Sequence, residues 1–140
     1  QFYTIIVHPD NKYFKFYDNK FLIEKSNLNN DVFDVLCFVR KDIKKISIPK
    51  FIKTIENYSI DSSSVVDAFI TPQVLSIGYG SFSLSRHLRN VIIPFNSKLQ
   101  IIDEYAFAFS TIEKIYIPPN VTKIERRCFY NCKKLKQIDF

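Results

Sequence analysis

One short phrase recurs four times in this chain and constrains its fold more than any other feature. It reads apolar–x–x–apolar–x–apolar, and three of the four copies end in proline. The copies begin at Ile43, Leu88, Ile112 and Leu135, and a degenerate copy beginning at Val66 fills the first gap. The starting positions are therefore 23, 22, 24 and 23 residues apart. A fixed period in this range predicts a solenoid, in which each unit buries its apolar face only by stacking on its neighbours.

Each copy predicts one short strand followed by a bulky anchor on the opposite side of a coil. Apolar residues alternate with variable ones, as in a strand with one buried face, and the proline ends the strand because it has no backbone donor. An apolar residue and a bulky one then recur five positions apart: Ile55 and Ile60, Ile77 and Phe82, Ile102 and Phe107, Ile124 and Phe129. A small residue follows three positions later, at Ser63, Ser85, Ser110 and Cys132. We expect the bulky residues to fill one layer of a shared core.

The C-terminal repeats resemble the unit of the BspA-like leucine-rich repeat family. The resemblance is carried by the runs 115–124 (Ile-Tyr-Ile-Pro-Pro-Asn-Val-Thr-Lys-Ile), 128–138 and 101–107. The segment 34–43 is similar to what precedes such repeats in the trichomonad set of these proteins. Departures from the family unit are Cys128 at the usual Ala, Ile60 at the usual Phe, and serines at three usual Cys positions. The resemblance implies a leucine-rich-repeat-like solenoid, with short parallel strands on one face and short helical or irregular turns on the other.

The repeats divide the 140 residues into two parts. Residues 43–140 are predicted to be tandem repeats of about 23 residues, and residues 1–42 an irregular or insertion-bearing repeat. Within the latter, two β-rich runs flank Asp18-Asn19, which predicts a hairpin because both residues tolerate left-handed backbone. Phe2-x-x-Ile5-x-Val7 fits the strand phrase, as does the chain end after Leu135, so we expect a fragment of a longer solenoid.

The charge and the cysteines restrict the possible partners and cofactors. The net charge is +6, with basic clusters at 40–45, 123–127 and 133–136. These clusters suit an anionic polymer, or they only keep the chain soluble. Binding to nucleic acid is disfavoured because no recognition helix or aromatic platform is visible. Three cysteines without a C-x-x-C pair predict no disulfide framework and no metal site, and we expect Cys132 and Cys128 to be small buried fillers.

No arrangement of residues in the sequence indicates catalysis. His8 and His87 belong to different coils and have no acid at a motif spacing, and no Ser or Cys belongs to a recognisable triad. Gly78 and Gly80 are too few for a phosphate-binding loop. We therefore predict no enzymatic activity and no cofactor.

Strand alternation predicts which residues a partner would contact. Ile70, Ile92 and Tyr116 are expected to face outward as one apolar stripe, beside a second outward row that contains Lys45, Ala68 and Lys114. Because equivalent positions of parallel coils stack every ~4.8 Å, the stripe would be continuous. Exposed apolar rows mark interaction surfaces. The alternative is that the predicted hairpin or another part of the parent chain covers the stripe.

The resemblance implies a non-catalytic protein-interaction module of a microbial surface antigen or adhesin, which contacts a host or matrix protein. The alternative is an intracellular scaffold with a cytoskeletal partner, and a third class is binding to an anionic polymer. Sequons at Asn57 and Asn120 are glycosylation candidates that would favour a cell-surface or extracellular setting over a cytoplasmic one. No run of ~18 apolar residues is present, so we expect no membrane insertion by this segment.

Overall fold

A computed structural model describes residues 4–140 and contains twelve short strands and no helix in that range. The strands are β1 (Phe14–Tyr17), β2 (Phe21–Glu24), β3 (Val35–Val39), β4 (Lys45–Ser47), β5 (Thr54–Ile55), β6 (Asp67–Phe69), β7 (Ser76–Ile77), β8 (Asn90–Ile92), β9 (Ile101–Ile102), β10 (Lys114–Tyr116), β11 (Lys123–Ile124) and β12 (Gln137–Asp139). Phe2 of the predicted N-terminal strand phrase lies outside the described residues, and residues 5–7 form no strand.

The strands form three sheets, which line two sides of a stacked coil. The strands of the repeated phrase, β4, β6, β8, β10 and β12, form one side, and β3, β5, β7, β9 and β11 pair in parallel on the other. The predicted leucine-rich-repeat-like solenoid is confirmed. Its second side is a ladder of mostly two-residue strands joined by irregular turns, and residues 4–140 contain none of the short helices that were allowed there.

The core is a column of layers, one from each coil. Middle residues of the phrase strands, such as Ile46, Val91 and Ile115, point inward and are buried. The Phe82 and Phe107 rings stack with centroids 5.2 Å apart and an interplanar angle of 15°. Phe107 and Phe129 continue the stack at 5.7 Å and 9°. Since each buried ring removes ~150–250 Å² from water, this stack is a main source of cohesion between coils.

Every coil turns through two residues in left-handed backbone, four positions apart. The first set is Tyr58, Gly80, Tyr105 and Arg127, with φ of 56°, 58°, 57° and 57°, and the second is Ser62, Leu84, Phe109 and Asn131. Seven of these eight residues carry a Cβ, which costs each of them roughly 1–2 kcal/mol. Hydrogen bonds between coils hold the turns: Leu84 N–H donates to Ala108 O at 2.9 Å, and Phe109 N–H donates to Tyr130 O at 2.9 Å.

The N-terminal hairpin extends the second sheet. β1 and β2 pair antiparallel through a turn in which Asp18 and Asn19 have φ of 53° and 52°, so the predicted hairpin is confirmed. β2 then pairs with β3, and β3 with β5, while Phe21 and Ile23 are buried. Neither hairpin strand contacts β4, β6, β8 or β10. The alternative that the hairpin covers the predicted stripe is therefore wrong.

The register of β6 corrects two predicted surface residues. Lys45 pairs with Asp67 and Ser47 with Phe69, so this repeat begins at Val65 and not at Val66. Ile70 is fully buried and Ala68 is 1% exposed, although both were predicted to face outward, and Phe69 is exposed instead. A one-residue shift reverses every side chain of a strand because the side-chain period is two.

The register of this repeat was predicted wrongly because Thr71 precedes its proline. It occupies the position that Pro49 has one coil earlier, and this displaces Pro72 by one residue. The Thr71 hydroxyl is buried and donates to Ile48 O at 3.0 Å. Because its buried hydroxyl is hydrogen-bonded, Thr71 can occupy a position at which other coils have proline.

Candidate functional site

The outward positions of the phrase strands form a row with an apolar centre. We name Phe69, Ile92 and Tyr116 the outer stripe. Phe69 pairs with Ile92 in the β6–β8 ladder, and their side chains are 36% and 53% exposed. Tyr116 is half-buried on β10 and has Asp139 of β12 as its next neighbour. The outer stripe therefore keeps Ile92 and Tyr116 of the predicted stripe, with Phe69 in place of Ile70.

The row beside the outer stripe is polar. Lys45, Asp67, Asn90, Lys114 and Gln137 follow one another along the coils. The Asn90 amide donates to a carboxylate oxygen of Asp67 at 2.6 Å, which ties β6 to β8 at the surface. Lys45 is exposed at one end of this row, and Lys114 is exposed three coils further along, beside Gln137. The structure thus brings Lys114 together with Ile92 and Tyr116, and it places Lys45 apart from them on β4.

The phrase sheet is interrupted between β8 and β10. β4, β6 and β8 form one ladder and β10 with β12 another, and no backbone hydrogen bond in the described chain joins Asn90–Ile92 to Lys114–Tyr116. A cavity of about 260 Å³, which we name the interstrand slot, opens along this interruption. Its lining comprises Arg89, Asn90, Val91, Ile92, Ile93, Lys114, Ile115, Tyr116 and Asp139.

A larger concave site adjoins the interstrand slot at the beginning of the same strands. This basic depression has a volume of about 640 Å³ and is lined by Val66, Arg86, His87, Arg89, Asn90, Thr111, Glu113, Lys114, Lys134, Lys136 and Gln137. Arg89, Asn90 and Lys114 line both cavities, so the two adjoin.

Unequal connections between coils produce the basic depression. Two residues, Arg86-His87, link Ser85 to Leu88, and two lysines occupy the same place in the last coil, at 133–134. Between them lies a connection of one residue, Thr111, whose hydroxyl donates to Leu88 O at 2.8 Å. A short connection between two longer ones leaves a hollow. Thr111 lies in it, and Arg86 and Lys134 line it from the flanking coils.

The basic depression has a strong excess of positive charge. Arg86, Arg89, Lys114, Lys134 and Lys136 line it, and Glu113 is its one carboxylate. Glu113 lies 4.0 Å from the Lys136 ammonium, and both side chains are well exposed, so this pair neutralises little of the charge. Sequence reasoning recognised the lysines at 133–136 as a cluster but not their assembly with Arg86 and Arg89. Aligning the coils would have revealed it, because these residues occupy nearly equivalent positions.

A ladder of tyrosines on the second side of the coil was also missed. Tyr58, Tyr79, Tyr105 and Tyr130 contact edge to face, with successive centroid distances of 5.5, 5.6 and 5.9 Å. The Arg127 guanidinium donates to the Tyr105 hydroxyl at 2.9 Å. These contacts join the left-handed turns of adjacent coils, and they account for bulky residues at those positions.

The two sequon asparagines are exposed and both take part in contacts between coils. Asn57 Oδ1 accepts from Tyr79 N–H at 2.9 Å, and Asn120 Nδ2 donates to Ser97 O at 3.0 Å. Glycosylation at either asparagine stays a prediction, and at Asn120 it would modify the nitrogen that makes this bond.

Cys128 is buried as predicted, whereas Cys132, predicted to be buried as well, is half-buried, and so is Cys37. Burial raises the pKa of the Cys128 thiol to about 12, and burial together with the nearby Glu24 carboxylate raises the pKa of Cys37 to about 12. The Cys132 thiol donates to Phe107 O at 3.0 Å. Since the thiolate is the reactive form, Cys37 and Cys128 are not nucleophiles at neutral pH. Within residues 4–140 no group of three or more His, Cys, Asp or Glu side chains is placed to hold a metal ion.

The described part of the chain has no helix that could cross a membrane. No curated protein matches the sequence.

Several solved structures match the fold. They include a leucine-rich repeat protein from Bacteroides ovatus, 19% identical with a TM-score of 0.70, for which the match covers 99% of this chain and 41% of that one. A leucine-rich cell surface protein from Faecalibacterium prausnitzii is 25% identical with a TM-score of 0.64, covering 93% and 40%.

The pneumococcal vaccine antigen PcpA is 23% identical with a TM-score of 0.62, covering 72% of this chain and 31% of that one. The chain therefore spans between about a third and two fifths of the length of these three proteins. The family description that matches the sequence itself is the BspA type leucine-rich repeat region, with six copies over residues 13–140. With nearly its whole length matched, the chain belongs to the BspA-type leucine-rich repeat family.

Proposed function

We propose that this chain is a non-catalytic module that binds a protein partner through the outer stripe. The observation that carries the proposal is the exposure of Phe69 and Ile92 side by side on one parallel ladder. Neighbouring strands lie ~4.8 Å apart, so the two side chains form one apolar surface. Aromatic and aliphatic side chains in such a row are typical anchors of protein interfaces. The repeat fold itself is typically non-enzymatic.

The setting we infer is a microbial cell surface, where the module belongs to an antigen or adhesin and contacts a host or matrix protein. The names of two structural relatives support this setting, since one is a cell surface protein and the other a vaccine antigen. In an intracellular scaffold, by contrast, Asn57 and Asn120 would never carry sugar.

The test is a binding assay of the purified chain against an array of extracellular-matrix proteins. The double variant Ile92→Asp/Tyr116→Asp places two charges on the outer stripe, and we expect it to weaken binding at least about tenfold, or ~1.4 kcal/mol. The control is Tyr13→Asp/Leu28→Asp, which changes two exposed residues of the N-terminal segment in the same way.

Thermal unfolding of each variant establishes that it folds before binding is compared. Equal affinities of the stripe variant and the wild type would remove the outer stripe as the site. If the wild type bound none of the matrix proteins, the extracellular form of the proposal would be wrong.

A further inference from the structure

We propose that the basic depression and the interstrand slot form one site, and that its occupant is an acidic peptide segment of the partner that ends in a large apolar side chain. The inference rests on the proposed function, since it takes the partner to be a protein. It goes further by naming the chemistry that is recognised and a site that extends beyond the outer stripe.

The acidic part of the segment is specified by the charge of the basic depression. Five Lys and Arg side chains from three successive coils surround it, and one partly neutralised carboxylate opposes them. A single exposed ion pair contributes only ~0.2–1 kcal/mol. A concave site that faces several carboxylates at once gains several such pairs, and its field also raises the rate of encounter.

The apolar part is specified by the interstrand slot. Ile92 and Tyr116 supply its exposed apolar surface, and Val91, Ile93 and Ile115 lie nearly buried beneath them. Arg89 and Lys114 line both cavities, so a segment that leaves the basic depression enters the slot directly. Asp139 lies in the lining of the slot but not of the depression, and it repels a carboxylate there. This sets the order of the segment: carboxylates in the depression and the apolar residue in the slot.

A peptide fits this pair of cavities better than a polyanion of sugars or nucleotides. A sulfated polysaccharide has no large apolar branch to fill a slot lined by Val, Ile and Tyr. Nucleic acid would require rings on which bases stack. The lining of the two cavities holds one ring each, His87 in the basic depression and Tyr116 in the interstrand slot, and this is too few for successive bases to stack on.

The experiment measures fluorescence anisotropy of a fluorescein-labelled peptide, Glu-Asp-Glu-Asp-Gly-Phe-Leu, on addition of the whole chain. Two further probes are the same peptide with Gly-Gly in place of Phe-Leu and a heparin dodecasaccharide. The site variant is Arg86→Glu/Lys134→Glu, in the connections that flank Thr111. The control variant is Lys50→Glu/Lys98→Glu, which reverses two exposed charges outside both cavities.

We expect the wild type and the control variant to bind the acidic peptide alike, and the site variant to bind it at least tenfold more weakly. Removing Phe-Leu should weaken binding about fivefold or more. Raising NaCl from 50 to 300 mM should weaken it as well, because exposed charges are screened. Phe69 lies outside both cavities, so Phe69→Asp should leave peptide binding unchanged. The same variant should weaken binding of the matrix protein.

Three results would overturn the inference. The first is equal peptide affinity in the site variant and the control, or no peptide binding to the wild type. The second is peptide binding that does not depend on Phe-Leu, which removes the interstrand slot from the site. The third is heparin binding that is lost in the site variant while the peptide does not bind, which assigns the basic depression to polysaccharide. Phe69 is the one residue of the outer stripe that lies outside both cavities, so failure of the stripe shows separately, as unchanged matrix-protein binding in Phe69→Asp.

Discussion

Phe69 and Ile70 are adjacent in sequence and have opposite environments. Phe69 is partly exposed on the outer stripe, and Ile70 is fully buried among the core layers. We expect Phe69→Ala to change the free energy of unfolding by less than about 1 kcal/mol, as is usual for surface sites. Ile70→Ala should lower it by ~2–5 kcal/mol, the range for a deleted core side chain. Denaturant unfolding of the two variants measures both values. The reverse order would restore the register in which the repeat begins at Val66.

Buried serines offer a second prediction at single residues. Within residues 4–140 the fully buried hydroxyl of Ser81 has no hydrogen-bond partner, and Ala106 occupies the same position one coil later. An unpaired buried hydroxyl costs roughly 1–3 kcal/mol, so Ser81→Ala should raise the free energy of unfolding by about 1 kcal/mol.

Ser97 is the matched control for Ser81. It is equally buried, but its hydroxyl oxygen accepts from Leu99 N–H at 3.1 Å. Ser97→Ala should therefore lower the free energy of unfolding by about 1 kcal/mol. Melting curves of the two variants should move in opposite directions from the wild type, and shifts of the same sign would contradict this account.

At the scale of strands and turns, the repeated phrase predicted most of the fold. The inward residues are branched aliphatics at fixed spacing, and four of the five phrase strands occur where alternation placed them. The fifth, β6, was misplaced because its proline follows Thr71. The left-handed turns could not be read from sequence, because they hold Tyr, Arg, Leu and Phe as well as Gly. Bonds between coils impose that backbone, and such bonds are not visible in any one repeat.

The interruption between β8 and β10 was also invisible in the sequence, since both copies of the phrase are regular. Only the different connection lengths before Leu88 and Ile112 distinguish them, and their effect depends on how the coils stack. The basic depression can be recognised only when the coils are aligned. Its charges come from three coils, and cluster counting along the chain cannot join them.

The interruption makes a prediction for amide hydrogen exchange. By alternation along β10, the N–H groups of Lys114 and Tyr116 face β8, and in the described part of the chain β8 and β10 do not pair. On the bonded side of β8, Ile70 N–H donates to Ile92 O at 2.9 Å and Asn90 N–H donates to Val66 O at 3.1 Å. We expect the amides of Lys114 and Tyr116 to exchange at least about tenfold faster than those of Ile70 and Asn90. Equal protection, measured by NMR, would mean that the sheet is continuous in solution.

At the scale of the whole molecule, cohesion passes from coil to coil and not through one central core. Each layer contacts only the layers before and after it, so stability is close to a sum of repeat and neighbour terms. The N-terminal hairpin adds two strands to one end of the second sheet and buries Phe21 and Ile23 there. Loss of one internal layer should therefore weaken its neighbours first and the hairpin last.

Phe107 is the layer in which this argument can be tested most directly. Its ring stacks on Phe82 on one side and on Phe129 on the other, and it is fully buried. Phe107→Ala should lower the free energy of unfolding by ~3–5 kcal/mol, because it leaves a cavity between two coils. Phe95→Ala removes an equally large ring that is 80% exposed and should have little effect. Amide exchange in the Phe107 variant should accelerate in the coils of Phe82 and Phe129 more than in β1–β3. If protection fell equally along the chain, the coils would unfold as one cooperative block and the layer-by-layer account would be wrong.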